Sequence, residues 1–245
     1  MTRAVETFEG YYSLHVTYRV NRAAWRFADK KERKEALASL EEFIGKLEGS
    51  EANKRSSFAF YAVPGDKGDM LFWFLEPTLD AIVERERAFD RLPVAEYLEK
   101  TYSFVSVIEV SNHAGQDMTH PSVRERLYPT LPKSNYICFY PMSKKRDGAD
   151  NWYMLESAER AALMRTHGET GRKYEGLIKQ FITGACGFDD WEWGVTLFAD
   201  DALQFKKIVY DMRFDEVSAR FGLFGPFIVG VRMTDGVLDG LLPKK

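Results

Sequence analysis

The stretch SFAFYAVPGDKGDMLFWFLEPTLDAIVERERAF, residues 57–89, decides the fold. Ser57 to Val63 and Met70 to Leu75 are short apolar runs rich in aromatics, and Pro64-Gly65-Asp66-Lys67-Gly68 between them is turn chemistry. The two runs therefore read as the strands of a hairpin. Thr78-Leu79-Asp80 then opens a helix that runs to Phe89. Upstream, Tyr11 to Val20 has the content of a strand, and Asp29 to Leu47 places Ala36, Leu37, Leu40, Phe43, Ile44 and Leu47 at the three-and-four spacing of an amphipathic helix. Phe104 to Val110 closes the series with a strand, giving the order βαββαβ.

From Asn135 the order recurs. Strand Tyr136 to Pro141, helix Glu156 to about Tyr174, strands Ile178 to Ala185 and Glu192 to Phe198, helix Asp200 to Phe214 and strand Pro226 to Met233 follow in turn. Laying Thr78-Leu79-Asp80-Ala81-Ile82 on Ala199-Asp200-Asp201-Ala202-Leu203 gives an offset of 121, which also sets Ser57 and its neighbours over the strand containing Gln180. The chain thus reads as an α+β protein with a duplicated ferredoxin-like unit, residues 1–110 and 135–245. A linker, 111–134, carries Pro121, Pro129 and Pro132. Each unit has helices on one face of an antiparallel sheet, so the other face needs a cover. The simplest cover is the sister unit, which makes an α+β barrel within one chain.

The 245 residues suffice for a sizeable core without disulfide or metal staples. With 29% charged and 45% hydrophobic residues, disordered and low-complexity classes are excluded. The net charge of −3 removes the global basicity of a non-specific nucleic-acid or membrane binder, so any anion site must be local. Phe221 to Val231, the longest nearly unbroken apolar run, is about half the roughly 20 residues a membrane span needs. The acidic N-terminal residues lack the apolar centre of a signal peptide, and a cytoplasmic location is the expectation. Cys138 and Cys186 have no partner at metal-ligand spacing and read as buried, reduced core residues. His15 and His120 read as ordinary strand and loop residues.

Unusual chemistry gathers in the second unit. His167 lies three and four positions after Met164 and Leu163, so its ring shares the inward face of its helix; the offset places Lys46 at its counterpart. Tyr140-Pro141-Met142-Ser143-Lys144-Lys145-Arg146 ends a strand with a phenol and three consecutive cations. Residues 124 to 146 hold six basic side chains against one acid, Glu125. Taken singly, a helical His is more often a core residue and a basic loop more often a solvated one. Together they suit a flat, apolar, iron-bearing polyanion: imidazole for the iron and cations for the carboxylates of a haem-type molecule.

The motif at 140–146, 27 residues before His167, resembles the coprohaem decarboxylases of the chlorite-dismutase-like superfamily, the type found in Gram-positive bacteria. Asn151-Trp152-Tyr153-Met154-Leu155, residues 167–174, 193–198 and 212–221 are similar to that family in the same order, so the resemblance spans essentially the whole chain. It implies that hydrogen peroxide drives the oxidative decarboxylation of two propionates of iron coproporphyrin III, giving haem b, with the substrate also serving as the cofactor. By the same resemblance His167 is the iron ligand, Tyr140 a catalytic residue that passes through a radical, and Lys144 the lysine paired with that step. Arg126, Arg172, Arg213 and Ser218 match positions at or near propionates, Met142 one beside the reacting edge, and Gln180 the distal position. Arg172 follows His167 by five residues, roughly 140° around the helix, so it reaches the rim only by a bend or by its length. The family commonly has a tyrosine where this chain has His113. A ring-shaped homopentamer and a transient contact with the iron-inserting ferrochelatase are also implied.

Three other readings stand beside this one. A haem carrier or sensor without turnover needs no Tyr140 or Lys144 at a reacting edge. A chlorite dismutase or peroxidase is disfavoured because Gln180 stands where the chlorite dismutases carry an arginine, and a neutral amide cannot hold an anion near the iron as a fixed cation does. Nucleic-acid binding by a ferredoxin-like sheet lacks the required positive charge.

Overall fold

The computed structural model describes residues 4, 6–111 and 120–244. In the first unit β1 (Thr7–Val20) leads through α1 (Arg22–Phe27) to α2 (Lys30–Ala52). Asp29 caps α2 by accepting from the backbone N–H groups of Lys31 and Glu32 at 2.7 and 2.9 Å, and the Glu32 carboxylate accepts from the Asp29 N–H in return. The expected hairpin is β2 (Ser57–Ala62) with β3 (Met70–Glu76), in register from Ser57↔Leu75 to Ala62↔Met70. Its turn holds Gly65 at φ +89°, a conformation that favours glycine. Then come α3 (Leu79–Asp90), capped by Thr78, and β4 (Leu98–Ser111).

The second unit consists of β5 (Tyr136–Lys144), α5 (Ser157–Arg172), β6 (Lys179–Gly184), β7 (Trp193–Ala199), α6 (Leu203–Met212), the short β8 (Gly222–Phe224) and β9 (Ile228–Arg232), followed by a C-terminal helix, α7 (Asp235–Leu241). Between the two units lies α4 (Pro121–Leu127), where linker alone was expected. Pro121 takes the first helical position, where its missing N–H costs nothing, and the His120 ring accepts from the Ser122 N–H.

The strands run β4-β1-β3-β2 in one half and β6-β7-β5-β9 in the other. The halves join edge to edge, not merely face to face. β4 pairs β6 through Val107↔Gly184 and Ile108↔Thr183, and β2 pairs β9 through Tyr61↔Arg232 and Ala62↔Val231. With β5 also paired to β7, eight strands close into a barrel and β8 lies on the flank of β5. Closure satisfies edge N–H and C=O groups that two separate sheets would leave unpaired.

Alternate residues point into the barrel, where Trp73, Phe104, Phe139, Phe181 and Phe198 form the core. His15 is fully buried among them, stacked between Trp73 at 4.5 Å and Phe139 at 3.9 Å, with Nε2 2.9 Å from the Thr196 hydroxyl. Burial holds its imidazole well below the ordinary pKa of 6.5. Of the two cysteines only Cys138 is buried; Cys186 is exposed, contrary to expectation. It sits beside Gly187, whose φ of +83° marks a turn that leaves the sheet rather than a strand that stays in it.

The outer faces differ between the halves. In the first, α2 buries Ala36, Leu37, Leu40, Phe43 and Leu47 against the strands. In the second, its counterpart α5 buries no residue at all, and Ile182 and Val229 remain 36% and 37% exposed on the strands. Instead α5 leans on its flanks. Leu163 and Met164 pack on Trp152, Val217 and Phe221, and Gly171 approaches the Met212 side chain on α6.

Candidate haem-type site

His167 sits on α5, 27% exposed, and its Nδ1 is 2.7 Å from Oδ2 of Asp215. A carboxylate only accepts, so Nδ1 carries the hydrogen and Nε2 is left as the basic ring nitrogen. Asp215 is anchored in turn by the backbone N–H of Ser218 at 3.1 Å, while its Oδ1 is buried with no partner among the described residues. This is the arrangement by which proteins orient a metal-ligating imidazole and raise its basicity. Asp215 went unread in the sequence because it is one acid within a mixed motif, 48 residues from His167, and only the turn after α6 brings it back. Ser218, expected beside a propionate, is placed with its backbone on Asp215.

Tyr140 lies on the outer face of β5, in one cross-strand row with Val195 and Ile182. Its ring stacks on Phe227 at 4.3 Å, interplanar angle 22°, and tilts against Phe224 at 6.0 Å. The Arg213 guanidinium covers Phe224 at 4.1 Å, so Arg213 and Tyr140 flank one ring. Burial pushes the Tyr140 hydroxyl above the usual phenol range, and Arg213 opposes this only in part. Met142 is two positions further along the same face, opposite Trp193 and Phe224.

Lys144 closes β5 opposite Gly222 and is 8% exposed. Its backbone N–H donates to Oε2 of Glu192 at 2.8 Å, and its ammonium lies 4.9 Å from the centre of the Trp152 ring. Burial lowers its pKa to about 8, against the pull of Asp215 and Glu192, which favour the charged form.

Gln180 is exposed on the outer face of β6, in the row of Leu197 and Cys138 that adjoins Tyr140. Arg172 ends α5, exposed, with its guanidinium folded back over Gly168. Arg126 is exposed on α4, which packs on β1 and β4; among the described residues no hydrogen bond or ion pair joins it to this group. The structure thus groups His167, Asp215 and Ser218, and separately Tyr140, Met142 and Arg213, with Lys144 facing Asp215 between them. His113 lies outside the described residues. Cavities of about 190 and 460 Å³ open around Arg19, the smaller one also lined by Pro226 and Ile228 of the second unit. Among the described residues no cluster of His, Cys, Asp and Glu forms a metal site of its own, and no helix is long and apolar enough to cross a membrane.

Known proteins share this architecture. A heme-binding protein from Thermus thermophilus is 47% identical over 99% of this chain and 98% of its own, with a TM-score of 0.95. Chlorite dismutase from Candidatus Nitrospira defluvii, in complex with imidazole, shares the fold at 20% identity and a TM-score of 0.74, over 96% of each chain. A variant of the same enzyme aligns at a TM-score of 0.76 and 19% identity, over 96% of each chain. The family model for chlorite dismutase matches residues 33–233, and the chain belongs to that family.

Proposed function

We propose that the protein is a coprohaem decarboxylase: it binds iron coproporphyrin III between α5 and the outer face of the second sheet, and uses hydrogen peroxide to convert two propionates to vinyl groups, yielding haem b. The observation that carries this reading is that Tyr140, Met142 and a buried Lys144 alternate along the outer face of β5, with Lys144 facing Asp215, the partner of His167. A carrier would need only the histidine. The residues suit an iron porphyrin. His167 has one nitrogen tied to Asp215 and the other available, and no residue of α5 is fully buried, in contrast to α2. The Thermus relative is described as heme-binding, which supports a porphyrin ligand here.

For each propionate, –CH2CH2COO⁻ with H2O2 and H⁺ gives –CH=CH2, CO2 and two H2O, so two electrons pass from the side chain to the peroxide. The iron, when bound, supplies the peroxide-reducing chemistry. His167 orients the macrocycle, and Asp215 fixes the imidazole by accepting from Nδ1. Tyr140 relays oxidising equivalents to the propionate; because burial keeps it a neutral phenol, it releases an electron and a proton together. Lys144 offers its ammonium to a propionate and holds the proton exchanged at that edge. Arg213, Arg172 and Arg126 supply cations for the remaining carboxylates, and Met142 shapes the reacting edge. Gln180, neutral at the distal position, does not favour chlorite chemistry. The homopentamer and the ferrochelatase contact belong to the same reading.

The test is to load the protein with iron coproporphyrin III, titrate hydrogen peroxide and follow the porphyrin mass, with Tyr140→Phe alongside. Stepwise loss of two CO2 with oxidation in the wild type and none in the variant is expected. Tight binding with no mass change in either protein would replace the enzyme with a carrier.

A further inference from the structure

Beyond its acceptance of the Lys144 N–H, several further bonds converge on Glu192. It stands at the entrance to β7, directly before Trp193. Its backbone N–H donates to the Met142 carbonyl and the Ser143 hydroxyl, both at 3.1 Å, and its carbonyl accepts from the Ala185 N–H at 2.8 Å. Its carboxylate takes the Lys144 N–H at 2.8 Å and also engages the Tyr153 hydroxyl, which burial and that bond together push above the ordinary phenol range. Glu192 therefore joins three segments: the end of β5, the β6–β7 loop and the 3-10 turn Trp152–Met154, whose Trp152 ring underlies the Lys144 ammonium.

We infer that Glu192 is a positioning residue for Lys144, holding the end of β5 in place through the Lys144 N–H and, together with Asp215, favouring the charged ammonium beside Trp152. The inference rests on the decarboxylase reading only for what the ammonium then does. Desolvation of a cation that is 8% exposed opposes its charge, and the half-buried carboxylate at the entrance to β7, hydrogen-bonded to the Lys144 backbone, acts against that cost. The other anion facing Lys144 is Asp215, which is committed to His167 and to the Ser218 N–H. Of the charges on neighbouring segments, Arg220 is engaged by Asp150 and Glu216, and Arg146 is exposed beyond Tyr153. The β8 partner, Gly222, brings no charge. Both carboxylates favour the charged ammonium, Asp215 the more strongly, and of the two it is Glu192 that also accepts from the Lys144 backbone.

The experiment is a pH titration of the ligand-free protein carrying 13Cε-labelled lysine, with the Lys144 resonance assigned by its absence in Lys144→Met. In the wild type it should titrate near pH 8. Glu192→Gln keeps an acceptor for the Lys144 N–H and removes only the charge; its Lys144 midpoint should fall by about half a unit or more. Glu192→Asp, which keeps the charge, should recover most of that shift. A midpoint unmoved in Glu192→Gln, or lowered as far in Glu192→Asp, overturns the inference. This measurement needs no porphyrin, so it stands apart from the question of turnover. With iron coproporphyrin III and peroxide, the alkaline limb of CO2 release should move with the midpoint in Glu192→Gln. A limb that stays fixed while the midpoint moves overturns the link between this charge and the reaction.

Discussion

Acidification should loosen the barrel through His15. The ring is fully buried, sandwiched by Trp73 and Phe139, and bonded by Nε2 to Thr196; Nδ1 has no partner among the described residues. A proton on that ring would bring a charge into an aromatic core, so the native state refuses it well below pH 6.5 while the unfolded chain accepts it at that pH. The unfolded state therefore binds more protons in acid. Stability from this group is complete above about pH 6.5 and is lost as the pH falls below it, at about 1.4 kcal/mol per pH unit. At pH 4.5, two units below the unfolded pKa, the loss reaches at most about 2.7 kcal/mol. Urea unfolding of the wild type and His15→Gln at pH 7.5, 6.5, 5.5 and 4.5 isolates the effect, because titration of every other group cancels in the difference. Glutamine stays neutral and can still reach Thr196. The wild type should lose its advantage over the variant by up to about 2.7 kcal/mol across the series, nearly all of it below pH 6.5. Parallel curves would show that His15 takes up its proton in the native barrel, and the argument from burial would fail.

Other substitutions test neighbouring parts of the argument. Asp215→Asn removes the charge behind His167 while leaving an acceptor, and the Kd for haemin, read from a Soret titration, should rise about 10- to 100-fold; an unchanged Kd would detach Asp215 from the iron ligand. Gly194→Ala would set a methyl 2.6 Å from the Phe104 ring and 2.7 Å from the Thr183 hydroxyl, and should cost about 1–3 kcal/mol in urea unfolding. Cys186 should react with a thiol reagent in the folded protein. Cys138, whose thiol burial pushes up to about 12, should react only after unfolding, and equal rates for the two would contradict the placement of the β6–β7 loop.

What could be read from the sequence follows the range of the interactions. The β2–β3 hairpin and the helices after it were legible because turn residues and three-and-four spacing act within a dozen positions. Barrel closure was not, since each seam rests on two residue pairs, such as Val107↔Gly184, contributed by strands far apart in the chain. His167 showed itself through the apolar face of its own helix, whereas Asp215 and Glu192 reach their partners only through the fold. α4 was hidden by its own start signal, because Pro121 reads as a breaker until His120 is seen capping the turn that follows. Cys186 misled because cysteine is usually a core residue, and the turn marked by Gly187 outweighed that tendency.

That α5 buries none of its side chains bears on when this helix is folded at all. Sixteen residues are near the lower limit for a helix that persists in water by propensity alone, and most protein helices take their persistence from an apolar stripe pressed on a core. On the proposed reading that stripe, beyond the contacts of Leu163 and Met164 with Trp152, Val217 and Phe221, is completed by the porphyrin. Amide exchange along α5 should accordingly be fast in the free protein and slow once a porphyrin is seated, with the protection gained growing as RT ln(1 + [L]/Kd). On that reading product departure becomes a matter of local melting: the helix that would grip the macrocycle is the element whose fraying would let it go, so the lifetime of the complex and the order of α5 would be two readings of one equilibrium.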